Sequence, residues 1–538
     1  MSEGSIEGLR SAVERAATSL GATPRGTLTL ERPRQAEHGD YATNAAMLLA
    51  GALKSRPRDV AERLAEAVAR ELGDQLSGVD VAGPGFLNLR LADAWYAEAL
   101  ASVLAGGERY GAGTAARPQR VNVEFVSANP TGPLHVGHSR NAAYGDALAR
   151  LLAFAGHDVD REFYVNDFGS QVLRLGESVG ARARGEDVGE DGYKGDYVVE
   201  LAGQIEGAGE RSVREVADEA VALMVARNEA SLAAFRVTFD TWYSERSLHD
   251  GEPSKVQHAF DVLAEQGRTY RHDGALWLRT TEFGDDKDRV IERATGEHTY
   301  FASDIAYHQD KRERGFDVLL DVWGADHHGY VQRMRAAFEA LGGAPDDLDL
   351  LIMQFVSLAG GATMSKRAGE FVTLDDLVAE IGVDAARWFL LQRSHDTTIE
   401  LDLDLARSQS AENPVYYVQY AHARIAAILR RAEGAPDPAL PAEELHPSER
   451  ALVKALLAFP AEAAEAAERR APHRIATYAL DLAQTFTAFY RDCPVLGAPQ
   501  EAFRLAVLVA TRDVIARALD LLGVSAPDEM RREDAPAA

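Results

Sequence analysis

The chain has 538 residues, 46% of them hydrophobic, which is too long for one hydrophobic core, so roughly three or four domains are expected. A net charge of −27 favours solubility and opposes non-specific binding to DNA and other polyanions, so a nucleic-acid partner would need basic residues gathered on one face. The start lacks a basic and apolar leader, no run of about 18 apolar residues occurs, and the single cysteine, Cys493, excludes an internal disulfide; no signal peptide and no membrane span are predicted, and the setting expected is the reducing cytoplasm.

Residues 1–115 read as a separate α/β module. Pro57 marks a helix start, Val60, Leu64, Val68 and Leu72 follow at helical spacing, and Gly73 supplies a stop. Phe86, Leu87, Leu89 and Leu91 after Gly83-Pro84-Gly85 predict a strand after a turn. Arg32, Arg34, Lys54, Arg56 and Arg58 make this module locally basic, either as a solvated face or as a polyanion contact. A linker rich in Gly, Ala and Thr is predicted over 106–118.

Residues 116–405 are predicted as a parallel-sheet domain. Val121, Val123, Phe125 and Val126 form a strand-like run. A Gly/Pro loop leads to a helix carrying Ala142, Leu148, Leu151 and Leu152 and stopping at Gly156, and residues 159–165 predict a second strand. Strand, loop, helix, strand is a βαβ unit with its site at the first strand's carboxyl end. Residues 170–290 are polar and helix-rich and are predicted as inserted helical material. Sheet-like segments resume near 299–302, 318–323 and 350–358. From 406 to 538 the pattern is helical: Asn413-Pro414 supplies a cap and an N1 proline, and Val415, Val418, Ile425 and Leu429 form an apolar stripe. The fold class is therefore α/β, with a Rossmann-like parallel-sheet domain between an N-terminal α/β module and a C-terminal helical bundle.

Four groups of residues carry chemistry. His135-Val136-Gly137-His138 stands where the first strand turns into the first helix; the helix start supplies backbone donors, and Gly137 lets a phosphate or flat ring approach. Gly360-Gly361-Ala362-Thr363-Met364-Ser365-Lys366-Arg367 is a Gly-rich cationic loop suited to a leaving pyrophosphate. Trp323-Gly324-Ala325-Asp326-His327-His328-Gly329 follows a strand-like run. It reads as pocket lining, since no spacing frame supports a metal site. Glu124, Tyr300 and Asp304 would suit a fork-shaped cation such as a guanidinium; the plainer alternative is an ion pair with Arg289 or Arg293. Together these imply nucleotidyl transfer from ATP to a carboxylic acid.

These blocks resemble the class I aminoacyl-tRNA synthetases, and most closely the arginyl-tRNA synthetases. The stretch from Glu124 through Asn129 to His138 is similar to that family's extended HIGH signature, and Thr363-Met364-Ser365-Lys366 to its KMSKS signature with Thr363 in place of the first lysine. Tyr164-Val165-Asn166-Asp167-Phe168-Gly169 and the Asn413 to Arg424 block fit as well. The resemblance implies an arginine–tRNA ligase that forms arginyl-adenylate and transfers arginine to tRNA(Arg), with tRNA needed for activation. It implies catalysis by His135, His138 and Lys366; ATP contacts at Gly137, Gly324, Asp326, His327, Met364 and Ser365, with Mg2+ on the nucleotide and no protein-held metal; and L-arginine contacts at Glu124, Ser127, Asn129, Tyr300 and Asp304. The tRNA would meet Tyr416, Tyr420, Arg424 and Arg430, aided by a basic helical face including Arg470, Arg474, Arg504 and Arg512. A monomer is expected. The competing reading is an H-x-G-H nucleotidyltransferase that adenylates another small acid without tRNA.

Overall fold

The computed structural model describes residues 6–23, 26–33, 35, 38–359 and 372–530. The N-terminal elements are α1 (Ile6–Ser19), β1 (Leu30–Glu31), β2 (Tyr41–Thr43), α2 (Ala45–Leu53), α3 (Pro57–Leu72), β3 (Leu76–Ala82), β4 (Phe86–Leu91) and α4 (Asp93–Gly106). The strands pair antiparallel in the order β1-β2-β4-β3. Pro57 does stand in the first turn of α3, whose stripe of Val60, Leu64, Val68 and Leu72 is buried.

The central sheet starts with β5 (Arg120–Phe125), α5 (Val136–Ala155) and β6 (Asp158–Val165). Gly156 ends α5 at φ 106°, a left-handed turn that glycine adopts without steric cost. Next come α6 (Ser170–Ala183), α7 (Asp196–Gln204) and α8 (Val213–Ala234), which share a small core of Leu175, Val198, Leu201, Val216 and Met224. Strands interrupt the helix-rich inserted material expected over 170–290. β7 (Thr241–Ser244) returns to the central sheet. After α9 (Arg246–His249) and α10 (Lys255–Glu265), three short strands, β8 (Thr269–His272), β9 (Ala275–Leu278) and β10 (Arg289–Glu292), form an antiparallel sheet. The β8–β9 turn is Asp273-Gly274, with φ of 49° and 79°, the backbone that a two-residue hairpin requires.

The chain continues through α11 (Tyr300–Glu313), β11 (Val318–Gly324), α12 (Val331–Ala340), β12 (Leu348–Met353), β13 (Val356–Leu358), α13 (Leu374–Leu391), β14 (Ile399–Leu401) and α14 (Leu403–Arg407). The sheet-like expectation at 299–302 is also corrected: Tyr300 opens α11, because a three-residue apolar run cannot by itself distinguish a strand from a buried helical turn. The central sheet is five-stranded, ordered β12-β11-β5-β6-β7, and every pair in it is parallel. The C-terminal helices α15 (Pro414–Arg431), α16 (Pro447–Glu468), α17 (His473–Asp492) and α18 (Glu501–Leu521) form the bundle. Its α16 also holds the N-terminal module, through Lys454–Asp40 at 2.8 Å and Arg450–Asp93 at 2.7 Å.

One charged layer positions α11 on the sheet. Asp321 of β11, Glu124 of β5 and Glu162 of β6 are register neighbours on adjacent strands. All three carboxylates are buried. The cations that meet them come from α11 and the residue that ends it. Lys311 Nζ lies 2.6 Å from Glu124 Oε2 and 2.9 Å from Asp321 Oδ1. Arg314 grips Glu162 with two hydrogen bonds of 2.6 and 2.8 Å, and the Tyr307 hydroxyl donates to the same carboxylate. His308 lies 2.7 Å from the Asp304 carbonyl oxygen through Nδ1 and 2.8 Å from Asp321 through Nε2. Both partners are acceptors, so both ring nitrogens must donate and the ring is an imidazolium. Burial pushes its pKa down, but Asp321 outweighs burial and the net shift is upward. Removing Lys311 leaves two buried carboxylates side by side. Lys311→Met is expected to cost about 3–5 kcal/mol of stability, read as a lower denaturation midpoint of the full chain; an unchanged midpoint contradicts the layer's role.

Candidate active site at the carboxyl ends of the parallel strands

Where β5 ends, Val126 and Ser127 take φ of 69° and 41°. A β-branched residue in that region is strained, which marks an over-determined turn. The turn is braced from behind by α5: a Cβ on Gly145 would lie 2.1 Å from the Phe125 ring, so only glycine permits this approach.

His135 and His138 cap α5 reciprocally. His135 Nδ1 accepts from the Gly137 N–H at 3.0 Å, and His138 Nδ1 accepts from the His135 N–H at 3.2 Å. The rings stack with centroids 3.7 Å apart. A Cβ on Gly137 would come within 2.8 Å of the His135 ring, which accounts for the glycine between them. Burial depresses both imidazoles; that of His138 falls to about 3, with His135 adding to the effect. The rings are therefore neutral near pH 7. With Nδ1 accepting, each proton sits on Nε2, which becomes a donor.

Gly360, Gly361, Thr363, Met364, Ser365, Lys366 and Arg367 lie outside the described residues. The residues that follow are tied directly to the histidine segment: Val136 N donates to Val372 O at 3.0 Å, and Leu374 N donates to Leu134 O at 2.8 Å.

Both Glu124 oxygens are engaged. Ser127 Oγ donates to Oε1 at 2.8 Å, and Lys311 holds Oε2 at 2.6 Å. Burial raises the Glu124 pKa, and Lys311 opposes that rise. The alternative pairing with Arg289 or Arg293 does not form: Arg289 binds Asp285 at 2.7 Å and Arg293 reaches Glu297 at 3.4 Å. Ser127 Oγ also accepts from Tyr164 N at 3.2 Å, while Asn129 Nδ2 donates to Gln171 at 3.0 Å.

Asp304 sits one turn into α11. The phenol on it is not that of Tyr300, which is 69% exposed at the helix start, but that of Tyr330, whose hydroxyl donates to Asp304 Oδ2. Helical spacing sets Tyr300 and Asp304 one turn apart on α11, but Tyr300 stands exposed at the helix start. Burial raises the Asp304 pKa, and the Tyr330 hydrogen bond opposes it. Gly324 ends β11, and Asp326, His327 and His328 follow in a 3-10 turn. The His327 ring lies 5.6 Å from that of Trp323, and its Nε2 lies 3.6 Å from Asp326. Three site neighbours escaped sequence reading: Tyr330, Lys311 and Glu245. Only Lys311 left a partial signal, as one of the cations in the last turn of the helix that carries Asp304.

A second site lies in the helical bundle. The rings of Tyr416 and Tyr420 stack 6.0 Å apart with 9° between their planes. The Arg424 guanidinium lies 4.6 Å from the Tyr420 centroid and 4.8 Å from that of Tyr490. A cavity of about 800 Å³ is lined by Tyr416, Tyr420, Arg424, Phe486 and Met530 among others. Tyr417 instead donates to Thr487 on α17 at 2.8 Å. Arg430 reaches the Asp528 carbonyl oxygen at 3.2 Å. The predicted basic face is mostly spent in internal pairs: Arg504 on Glu449, Arg474 on Glu465 and Arg512 on Asp513 at 2.7 Å each, and Arg470 on Asp349 at 3.2 Å.

With this geometry in place, comparison with known proteins is consistent along the whole chain. The model of the class I (R) tRNA synthetase catalytic domain matches residues 99–179 and 186–426. The arginyl tRNA synthetase N-terminal domain matches 7–91, and the DALR anticodon binding domain matches 418–530. The arginine–tRNA ligase of Desulforudis audaxviator is 47% identical, with 97% of each chain covered. That of Geobacillus thermodenitrificans is 45% identical, over 98% of this chain and 99% of its own. The structure of Thermus thermophilus arginyl-tRNA synthetase superposes with a TM-score of 0.75 at 26% identity, covering 97% of this chain and all of that one. The chain belongs to the arginyl-tRNA synthetases, a family of class I arginine–tRNA ligases.

Proposed function

We propose that the crevice at the carboxyl ends of β5, β6, β7 and β11 carries out both steps of arginine–tRNA ligation. The observation that carries this is the joint placement of two kinds of group against one sheet: neutral histidine donors at the start of α5 and a half-buried carboxylate on α11. In the first step an arginine carboxylate oxygen attacks the α-phosphorus of ATP and pyrophosphate leaves. His135 and His138 offer Nε2–H donors to the phosphate oxygens, where charge develops, and Gly137 gives room for the approach. Lys366, with Met364 and Ser365, takes the leaving pyrophosphate. Gly324, Asp326 and His327 line the nucleotide, and Mg2+ arrives with the triphosphate. Ser127 and Asn129 hold the amino-acid backbone groups of the substrate. Asp304, oriented by Tyr330, pairs with the guanidinium. Glu124 acts through Ser127, and Tyr300 covers the entrance. In the second step a ribose hydroxyl at the 3′ end of tRNA(Arg) attacks the acyl carbon and AMP leaves.

The Tyr416–Tyr420 platform with Arg424 suits splayed anticodon bases, since stacking on aromatic and guanidinium planes is how single-stranded RNA is read. Arg430 would add a phosphate contact there, and the N-terminal module would touch the tRNA elbow. One chain carries every part, so a monomer suffices. Work in translation and the buried free thiol of Cys493 both fit the cytoplasm. An enzyme adenylating another acid without tRNA would leave the tyrosine platform without a ligand.

Pyrophosphate exchange into ATP, run with each amino acid and with or without tRNA, tests this reading. Exchange is expected with arginine alone and only with tRNA present; exchange with another acid and no tRNA would move the assignment to the competing reading. Asp304→Asn removes a charge-assisted pair of about 1.5–3 kcal/mol. It should raise KM for arginine roughly tenfold to a hundredfold while leaving KM for ATP nearly unchanged. Equal rises for both substrates would remove Asp304 from the guanidinium.

A further inference from the structure

Proline is rare inside helices, because it removes a ladder hydrogen bond and its ring crowds the carbonyl four residues earlier. α16 nevertheless carries Pro460 in its interior. The carbonyl that loses its helical donor is that of Leu456. The Tyr110 hydroxyl, from the segment that follows α4, donates to it at 3.2 Å. The two carbonyls before it also take side-chain donors. Tyr478 of α17 donates to Ala455 O at 3.0 Å, and the Arg32 guanidinium, from the residue after β1, donates to Lys454 O. Arg32 and Tyr110 both belong to the N-terminal module, so the module meets α16 at its gap in the ladder.

The packing around the gap is close. A Cβ on Gly111, whose φ is 82°, would lie 3.0 Å from the Phe459 ring and 3.4 Å from Pro460 Cα, so glycine lets the chain close on the proline. The Tyr110 ring stacks on Phe459 with centroids 6.3 Å apart. Lys454–Asp40, Arg450–Asp93 and a hydrogen bond of 3.0 Å from Leu445 N to Asp93 extend the contact along α16. Helix α17 carries it on to the tyrosine cavity. Tyr478 stands at the gap, Phe486 lines the cavity, and Thr487 accepts from Tyr417 of α15 at 2.8 Å. Arg32, counted in the sequence toward a basic face, is thus a docking residue.

We propose that the ladder gap at Pro460 is a receptor for the N-terminal module, and that it fixes module and bundle as one body holding two RNA contacts at a set spacing. The inference rests on the reading of the module and of the Tyr416–Tyr420 cavity as tRNA contacts. Both contacts fall on one folded RNA, so the second forms at an effective concentration set by how rigidly the two are joined. A module free to swing would lower that concentration without altering either contact. The device therefore acts on full-length tRNA and not on its anticodon arm alone. Alanine at 460 would return an N–H to Leu456 O and displace the Tyr110 hydroxyl, strengthening the helix while loosening the docking.

The test is Pro460→Ala in the full chain, with binding of a tRNA(Arg) transcript and of its isolated anticodon stem–loop measured at one salt concentration. The denaturation midpoint should hold or rise, affinity for the transcript should fall about tenfold or more, and affinity for the stem–loop should be unchanged. Tyr110→Phe keeps a ring on Phe459 and removes only the hydroxyl. It should lower transcript affinity by about twofold to tenfold, again without touching the stem–loop, and it decides the matter if the alanine variant does not fold. Unchanged transcript affinity in either folded variant overturns the proposal. So does an equal loss for transcript and stem–loop, which would mean that the cavity itself was disturbed. Equal affinity of the unmodified protein for the two RNAs would show that the module adds no contact; the two-contact reading then fails, and the inference with it.

Discussion

Three carboxylates in a row on three neighbouring strands cannot fold together without three positive charges, and this constraint organises the catalytic half of the molecule. Asp321, Glu124 and Glu162 occupy one rung of the sheet, and Lys311, His308 and Arg314 answer them from α11 and its end. A buried ion pair adds little net stability against an apolar substitute, because desolvation offsets the attraction. What it adds is register. Sliding α11 by one turn would leave several charges unpaired, each at a cost of several kcal/mol. The helix is thereby locked, and with it Asp304 one turn from its start. Tyr330 completes the alignment from the turn after β11.

The opposite wall of the crevice depends on hydrogen bonds rather than charge. The two histidines satisfy backbone donors at the start of α5 that would otherwise be orphaned. The same bonds fix their tautomer. With Nδ1 accepting, the remaining proton of each neutral ring sits on Nε2. The bonds from 134–136 to 372–374 couple this wall to the start of α13, although the two segments are far apart in sequence.

The parts read correctly from the sequence were local ones. The βαβ unit followed from Val121, Val123, Phe125, the Gly/Pro loop and Gly156, all within one short stretch, and the stripes of α3 and α15 followed from helical spacing. The H-x-G-H position at a strand-to-helix junction was equally local. Long-range pairings were not legible: Lys311 reaches Glu124 across 187 positions, and no periodicity announces a salt bridge. The Tyr330–Asp304 hydrogen bond was not legible either, because helical spacing relates only residues of one helix and these lie 26 positions apart. The β8–β9 hairpin could have been found, since Asp273-Gly274 is a strong turn signal; its strands of four residues were too short to register as alternation. Several arginines counted toward a basic face, Arg504 and Arg474 among them, are paired with carboxylates of the same bundle, because composition does not show which charges neutralise each other.

The central claim is that Asp304, positioned by this charged layer, recognises a positive guanidinium. It is tested most directly by comparing the binding of L-arginine and L-citrulline, which have nearly the same shape but differ in charge at the side-chain end. Arginine should bind roughly tenfold to a hundredfold more tightly, as expected for a charge-assisted hydrogen bond worth about 1.5–3 kcal/mol. Asp304→Asn should shrink the gap. Equal binding of the two amino acids by the unmodified protein would contradict the account.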